Sequence, residues 1–120
     1  MQIRSVNLED APQVAAQIAA LLTEFAPDAP TDAGRLIETA KTVLALPSVT
    51  GFLAEVAGEP LGLVMLNECA AVYAGGVFGE ITELYVTPAR RSEGIAAKLL
   101  TRATEEGRAR GWARIEVGAP

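Results

Sequence analysis

The sequence contains no histidine and a single cysteine, Cys69. An intrachain disulfide is therefore excluded, and so are zinc sites built from several cysteine and histidine ligands. Because no histidine is available to activate its thiol, we expect Cys69 to be inert rather than a covalent nucleophile. We expect no bound metal, and the lack of disulfide chemistry favours a reducing, cytoplasmic location.

Long apolar runs are also absent, and none approaches the roughly 18–20 residues that a membrane span needs. Residues 1–4 lead directly into polar sequence without the apolar core of a signal peptide. The formal net charge of −5 opposes binding to polyanions. We therefore expect neither a membrane nor a nucleic acid partner, although arginines crowd the last third of the chain: Arg90, Arg91, Arg102, Arg108, Arg110 and Arg114.

The composition is that of a folded protein, since 50% of the 120 residues are hydrophobic and 21% are charged. A chain of this length suits one hydrophobic core. It contains no repeat, low-complexity tract or linker, so we expect residues 1–120 to form a single domain.

Apolar residues at helical spacing predict two helices in series after a short extended start. Asp10 offers its carboxylate as the N-cap of the first helix. Thr31 is the expected N-cap of the second helix, which Pro47 stops. The two apolar stripes consist of Val14, Ile18, Leu21, Leu22 and Phe25, and of Leu36, Ile37, Ala40, Val43 and Leu44.

The middle of the chain has the pattern of strands. Residues 52–56 and 61–66 are short apolar runs joined by a turn at residues 57–60, which predicts an antiparallel hairpin. Residues 70–79 are small and glycine-rich, and we expect them to form a loop. Residues 80–86 are predicted to be a third strand, which ends before the next proline because proline cannot donate to a strand ladder.

A long helix and a last strand follow. Ser92 is the expected N-cap of this helix, which Gly107 or Gly111 closes. Its apolar stripe is Ile95, Ala96, Leu99, Leu100 and Ala103. A strand is expected at residues 112–117, with Trp112 in the core. A strand, a helix and a strand of these lengths indicate a parallel pair joined by a right-handed crossover.

Residues 84–96 bring a strand end, a basic turn and a helix start together. The first amides of a helix lack intrahelical partners and lie at the positive end of its dipole, so they can bind phosphate oxygens. Gly94 and Ala96 leave room for a ligand, and Arg90 and Arg91 can add attraction. The same small residues also suit close packing of a helix on a sheet, and the residues alone are compatible with both interpretations.

The segment Arg91-Ser92-Glu93-Gly94-Ile95-Ala96 resembles the acetyl-coenzyme A signature of the GNAT superfamily of N-acetyltransferases, Gln/Arg-x-x-Gly-x-Gly/Ala. Residues 84–88 resemble the family's Leu-Tyr-Val-x-Pro strand end, and residues 109–117 resemble its passage from helix to strand. The resemblance implies an α/β fold whose twisted, mostly antiparallel sheet has a splayed parallel pair and flanking helices. It also implies direct transfer of an acetyl group from acetyl-CoA to a primary amine of a small molecule or peptide, in a ternary complex.

The resemblance further implies which residues bind acetyl-CoA. In that family the pyrophosphate lies on the amides of the signature, here Arg91, Ser92, Glu93, Gly94, Ile95 and Ala96. The pantetheine arm pairs like a strand with the end of the preceding strand, here Leu84, Tyr85 and Val86. An amide near Val86 would polarise the thioester carbonyl as an oxyanion donor.

Two features depart from the family pattern. Ser92 and Glu93 replace the usual glycine and lysine. A carboxylate at residue 93 disfavours a pyrophosphate unless it points to solvent, whereas in the first helical turn it would stabilise the helix dipole. The chain also stops after the strand at residues 112–117, where family members continue through a helix and two strands. We therefore expect a GNAT domain without its C-terminal part, and an exposed edge that a second copy could cover in a homodimer.

Attack on a thioester needs a neutral amine, so a base must accept a proton from the ammonium. Glu80 and Glu83 are the candidates, and Glu83 is preferred. They point to opposite faces of a regular strand, whereas a bulge would change this. Tyr85 could protonate the leaving thiolate, although packing is its commoner role, and Tyr73 could contact the acceptor.

Other functions stay open at this point. A non-catalytic acetyl-CoA-binding or regulatory module of the same fold would bind the ligand without turnover. A structural or interaction domain of the same fold would not bind coenzyme A at all. Nucleic acid binding is the least favoured alternative because of the net charge. The sequence does not specify the acceptor.

Overall fold

The computed structural model describes residues 1–118 as a five-stranded sheet flanked by helices. The strands lie in chain order across the sheet, antiparallel from β1 to β4 and parallel between β4 and β5. The elements are β1 (Gln2–Ser5), α1 (Ala11–Phe25), α2 (Ala33–Leu44), β2 (Val49–Val56), β3 (Glu59–Ala71), β4 (Gly76–Val86), α3 (Ile95–Arg110) and β5 (Ile115–Val117). This confirms the predicted mixed, mostly antiparallel α/β architecture.

Successive side chains of a strand point to opposite sides of the sheet, and helices cover both sides of the central strands. α1 and α2 cover one face, where the buried side chains are Val14, Ala15, Ala40, Leu53, Leu63 and Met65. α3 covers the other face, where the buried side chains are Phe52, Ala54, Val64, Leu66, Ile81, Ile95, Leu99 and Ala103. Two apolar layers therefore hold the sheet between the helices.

The N-caps of α1 and α2 differ from those predicted. Asp10 directly precedes α1, but its carboxylate accepts hydrogen bonds from the Arg4 guanidinium and the Asn7 amide, all at 2.8 Å, and does not cap the helix. Asp32, rather than Thr31, caps α2, since its Oδ1 accepts a first-turn amide at 3.1 Å. Threonine and aspartate are both good caps, so neighbouring candidates cannot be separated by residue type.

The last turn of α1 lies largely in solvent. Val14 is buried as its stripe predicts, but Leu22 is 44% exposed and Phe25 is 71% exposed. The spacing of apolar residues shows which face of a helix is apolar, but it does not show how far along the helix the core extends. This exposed apolar turn lies beside the site described below.

Tight turns join the strands on both sides of β3. Ala57 and Gly58 have φ angles of 50° and 81°, which is typical of a type I′ turn. The loop predicted at residues 70–79 is shorter than expected and spans residues 72–75, because β3 continues to Ala71 and β4 begins at Gly76. The glycines and alanines of this segment indicated a loop, although β3 and β4 pair there and Phe78 is buried.

α3 begins later than predicted. Ser92 has a φ of 71° and lies in the loop, so it does not cap the helix. Gly94, with a φ of 79°, occupies the N-cap position without any side-chain cap. The helix runs through Gly107 and ends before Gly111, whose φ is 74°. The loop before α3 is thus built from unusual backbone conformations.

Trp112 joins β4 to α3. It is buried as predicted, and its ring lies against Gly79 of β4 and Gly107 of α3. Its Nε1 donates to the Glu68 carboxylate at 2.6 Å. β5 starts three residues later, at Ile115, so the last strand is shorter than predicted. Its parallel pairing with β4 is confirmed.

The surface of the described part of the chain has an open sheet edge. β5 is the outermost strand there, and Val117 is 78% exposed. Coverage of this edge by a second copy stays a prediction. None of the helices within residues 1–118 has the length and apolarity that crossing a membrane requires. Among the same residues, no group of three acidic or cysteine side chains is arranged to hold a metal ion.

Replacing Gly79 by alanine should destabilise the fold. A Cβ at residue 79 would overlap the Trp112 ring, and overpacking of this kind typically costs about 1–3 kcal/mol. Gly34→Ala is the matched control, because a Cβ there meets only the Asp32 side chain at 3.6 Å. We expect urea unfolding to give a lower free energy for Gly79→Ala alone. Equal free energies for the two variants would contradict this packing.

The ion pair of Arg4 with Asp10 should make stability depend on pH. Hydrogen bonds from Arg4 hold the pKa of Asp10 below its ordinary value of 3.8. A carboxyl group with a lowered folded-state pKa contributes stability above its unfolded pKa, and this stability is lost as pH falls through the folded-state pKa. The free energy of unfolding should therefore fall more steeply below about pH 4 in the wild type than in Asp10→Asn. The exposed Asp28→Asn should keep the wild-type profile, and identical profiles for all three proteins would refute the assignment.

Candidate active site

β4 and β5 pair over only a short stretch. The parallel register joins Gly79–Ile81 to Ile115–Val117, and the Gly118 amide donates to the Ile81 carbonyl at 2.9 Å. β4 then runs on to Val86, where its only strand partner within residues 1–118 is β3. Between Ile81 and Val86, one edge of β4 therefore has no neighbouring strand among the described residues.

The backbone of β4 presents hydrogen-bonding groups along that edge. The Thr87 amide donates to the Leu61 carbonyl on β3 at 2.9 Å. In an antiparallel ladder, neighbouring residues direct their amide and carbonyl groups to opposite sides. The groups of Val86 and Leu84 therefore point away from β3, and the Val86 carbonyl accepts a hydrogen bond from Arg91 Nε at 2.9 Å.

A bulge in β4 brings the two candidate carboxylates to one face. Met65 pairs with Glu83 and Leu66 pairs with Ile81, so Thr82 is the additional residue. Glu80 pairs with Asn67, which lies two residues from Met65 on β3. Glu80 and Glu83 thus face the same side of the sheet, towards α1 and α2, as expected for a bulged rather than a regular strand.

The loop between β4 and α3 leaves a series of amides free. The first helical hydrogen bond runs from the Lys98 amide to the Gly94 carbonyl, at 3.1 Å. Within residues 1–118, the amides of residues 92–97 have no hydrogen-bond acceptor. The left-handed conformations of Ser92 and Gly94 turn the chain into α3 at this point. The helix N-terminus therefore carries unsatisfied donors and a partial positive charge.

A cavity of about 520 Å³ joins this loop to the free edge of β4. All of the predicted acetyl-CoA-binding residues except Glu93 line it: Leu84, Tyr85, Val86, Arg91, Ser92, Gly94, Ile95 and Ala96. Leu21 and Glu24 of α1 close its other side. Sequence reasoning missed these two residues, because only the packing of α1 across the sheet brings them opposite the loop.

The Arg91 side chain bridges the cavity. In addition to its bond to Val86, its guanidinium donates to the Glu24 carboxylate at 2.7 Å and lies 5.4 Å from the centre of the Tyr85 ring. The hydrogen bond that it donates to Glu24 raises the pKa of Arg91 above its ordinary value. Arg91 thus holds the strand end against α1 and partly neutralises the carboxylate there.

Glu93 does not occupy the first turn of α3, because it precedes the N-cap residue Gly94. Its carboxylate accepts hydrogen bonds from Arg90 Nε at 2.9 Å, and it is not among the residues that line the cavity. The proposed role of Glu93 in stabilising the helix dipole from within the first turn is therefore incorrect. The negative charge of Glu93 is paired with the Arg90 guanidinium.

A second cavity, of about 540 Å³, meets the first at Leu21 and Leu84. It lies between the end of α1, the bulge of β4 and the end of β5, and Glu83 is part of its wall. Glu80 is half-buried and does not line this cavity. The structure thus places Glu83, but not Glu80, in the second cavity, and Tyr85 in the first.

Two other residues of interest lie elsewhere. Tyr73 is 70% exposed in the turn between β3 and β4, and its hydroxyl donates to Glu116 at 3.1 Å. It lines neither cavity, so a contact with an acceptor there is not supported. Cys69 is a half-buried free thiol whose Sγ lies 3.7 Å from the Asn67 carbonyl.

Comparison with known proteins shows which family this chain belongs to. A model described as the acetyltransferase (GNAT) family matches residues 15–119. A search of curated protein sequences finds no significant match. Many solved structures are similar, and one from Arthrobacter sp. FB24, described as an acetyltransferase, is 30% identical with a TM-score of 0.81. The alignment covers 100% of this chain and 75% of that one.

Two further structures share the fold at lower identity. A Clostridium acetobutylicum protein described as an acetyltransferase, whose structure contains acetyl-CoA, is 20% identical with a TM-score of 0.83, over 98% of this chain and 80% of that one. The ribosomal-protein-alanine N-acetyltransferase of Brucella melitensis biovar Abortus 2308 is 22% identical with a TM-score of 0.80, over 100% and 81% of the two chains. With the family model matching most of its length, this chain belongs to the GNAT family of acetyltransferases.

Proposed function

We propose that this protein transfers the acetyl group of acetyl-CoA to a primary amine, by direct attack within a ternary complex. The observation that carries the proposal is the cavity that joins the free amides of residues 92–97 to the unpaired edge of β4. A phosphate group and an amide-bearing chain are the two chemical features that such a surface can bind together. Coenzyme A contains both features. We also propose that the reaction takes place in the cytoplasm.

The residues present suit acetyl-CoA. A Cβ built at Gly94 would meet no atom within 4 Å, so the space in front of the loop is open. We assign the phosphate contacts to the amides of the signature loop, from Ser92 to Ala96. The Arg91 amide already donates to the Pro88 carbonyl at 3.3 Å, so Arg91 would act through its side chain. Leu84, Tyr85 and Val86 would pair with the amides of the pantetheine arm.

The proposed chemistry divides between the two cavities. Acetyl-CoA, when bound, supplies an activated acetyl thioester. Glu83 would accept a proton from the substrate ammonium in the second cavity, which frees the nitrogen lone pair for attack. The Val86 amide, which points into the cleft, would donate a hydrogen bond to the reacting carbonyl oxygen. In the net reaction an N–C bond forms and the C–S bond breaks, and the nitrogen loses its second proton to solvent. The sulfur takes one proton, for which Tyr85, reprotonated from solvent, is the candidate donor.

The cofactor site can be tested by calorimetric titration with acetyl-CoA. Gly94→Glu places bulk and negative charge in front of the free amides, and we expect at least tenfold weaker binding. Gly75→Glu is the matched control, because Gly75 also has a positive φ, of 82°, and open space around its Cβ, but it lies in the β3–β4 turn. Equal weakening by both substitutions, or by neither, would contradict a phosphate site at the start of α3. Tight binding by a chain that acetylates no amine would instead favour a non-catalytic acetyl-CoA-binding module.

The proposed base can be tested with amides in place of the two carboxylates. Glu83→Gln should lower kcat by about 10²–10⁴-fold, the range typical of lost general base catalysis, while acetyl-CoA affinity stays unchanged. Glu80→Gln is the matched control, since it lies on the same face of β4 outside both cavities. The measurement is release of the coenzyme A thiol in the presence of an amine that the wild type accepts. A large loss in Glu80→Gln with none in Glu83→Gln would move the base to Glu80.

A further inference from the structure

We infer that the acceptor is a primary amine that carries a single positive charge on an apolar body. This inference rests on the proposed function, and it names the class of substrate that the second cavity takes. It depends on what lines that cavity, on how the cavity meets the first one, and on the charges nearby.

The two cavities share Leu21 of α1 and Leu84 of β4. The two cavities are therefore adjacent at Leu84, which lies two residues before Val86, the proposed oxyanion donor. The volume of about 540 Å³ lies within the range of small-molecule sites. The second cavity is thus large enough for an acceptor and shares two lining residues with the donor site.

The wall of the second cavity is mostly apolar, although much of it is reached by water. Phe25 is 71% exposed, Leu22 is 44% exposed and Val117 is 78% exposed, and all three line it. Ile81 and Leu100 contribute from β4 and α3. An apolar substrate body would cover these side chains, and each buried methylene group is expected to increase binding about two- to fourfold.

Glu83 is the only ionisable side chain among the described residues that line the second cavity. Its Oε1 accepts a hydrogen bond from the Thr82 hydroxyl at 2.9 Å, which leaves the other carboxylate oxygen for a substrate ammonium. Glu80, on the same face of β4, lies outside the lining. A second ammonium on the same substrate would therefore meet apolar side chains and lose hydration without a partner.

The field of the whole protein would have the opposite preference. A net charge of −5 attracts polycations more strongly than monocations, and salt weakens this long-range attraction. The two effects can therefore be separated. Selection by the cavity wall favours a longer apolar amine at any ionic strength, whereas selection by net charge favours a polyamine at low salt.

Alkylamines of equal basicity provide the test. We expect kcat/KM to rise about two- to fourfold per methylene group from ethylamine to hexylamine. 1,6-Diaminohexane, which is hexylamine with a second ammonium, should be at least tenfold poorer than hexylamine at both low and high salt. A flat alkylamine series, or a preference for the diamine, would overturn the inference.

A variant of the wall makes the test specific. Phe25→Ala should flatten the dependence on chain length and leave acetyl-CoA affinity unchanged. Leu46→Ala removes a similarly exposed apolar side chain, 49% exposed and outside both cavities, and should keep the wild-type dependence. Both changes are at exposed side chains, so neither should prevent folding. An unchanged slope in Phe25→Ala would show that this wall does not contact the substrate.

Direct binding separates this inference from the proposed function. If no amine is acetylated, calorimetric titration of the chain with hexylamine and with 1,6-diaminohexane still tests the cavity. Saturable binding of hexylamine that is weakened by Phe25→Ala, with weaker binding of the diamine, would support the site although transfer had failed. No saturable binding of hexylamine, with or without acetyl-CoA, would overturn the inference.

Discussion

The candidate active site depends on the separation of β4 from β5. The two strands share three residue pairs, and β4 then continues beside β3 alone in the described part of the chain. The separation coincides with the bulge at Thr82, and a bulge bends and twists its strand. Because no described strand pairs with the amides and carbonyls on one edge of β4 there, this edge can bind a ligand in the manner of another strand. The same bulge puts Glu80 and Glu83 on one face of β4, and Glu83 lines the second cavity.

Backbone amides and charged side chains both contribute to the first cavity. The amides of residues 92–97 become available because glycine and serine in left-handed conformations turn the loop directly into α3. Charged side chains around the loop change its local electrostatic potential. Arg90 is paired with Glu93, and Arg91 is paired with Glu24, so the two carboxylates near the loop are each held by an arginine. Both pairs are exposed, so their contribution to stability is small, and their main effect is on the local potential.

Much of the architecture could be predicted from apolar spacing and from one signature. The three long helices, the hairpin at residues 57–58, the parallel pair and the burial of Trp112 are present. The errors occurred where backbone interactions decide structure. Residues 70–71 and 76–79 are strand because β3 and β4 pair there, although the alanines and glycines among them indicated a loop. Asp10 binds Arg4 instead of capping α1, because β1 brings a guanidinium beside it.

By itself, the sequence determined the order of the elements and the family signature at residues 91–96, because both depend on residues close together in the chain. Only the tertiary structure decided which groups face each other across the cleft. Glu24 and Leu21 line the same cavity as the loop because α1 packs across the sheet. The bulge puts Glu80 and Glu83 on one face of β4, and of the two Glu83 lines the second cavity. Such relations depend on strand register and helix packing, which are set by contacts between segments far apart in sequence.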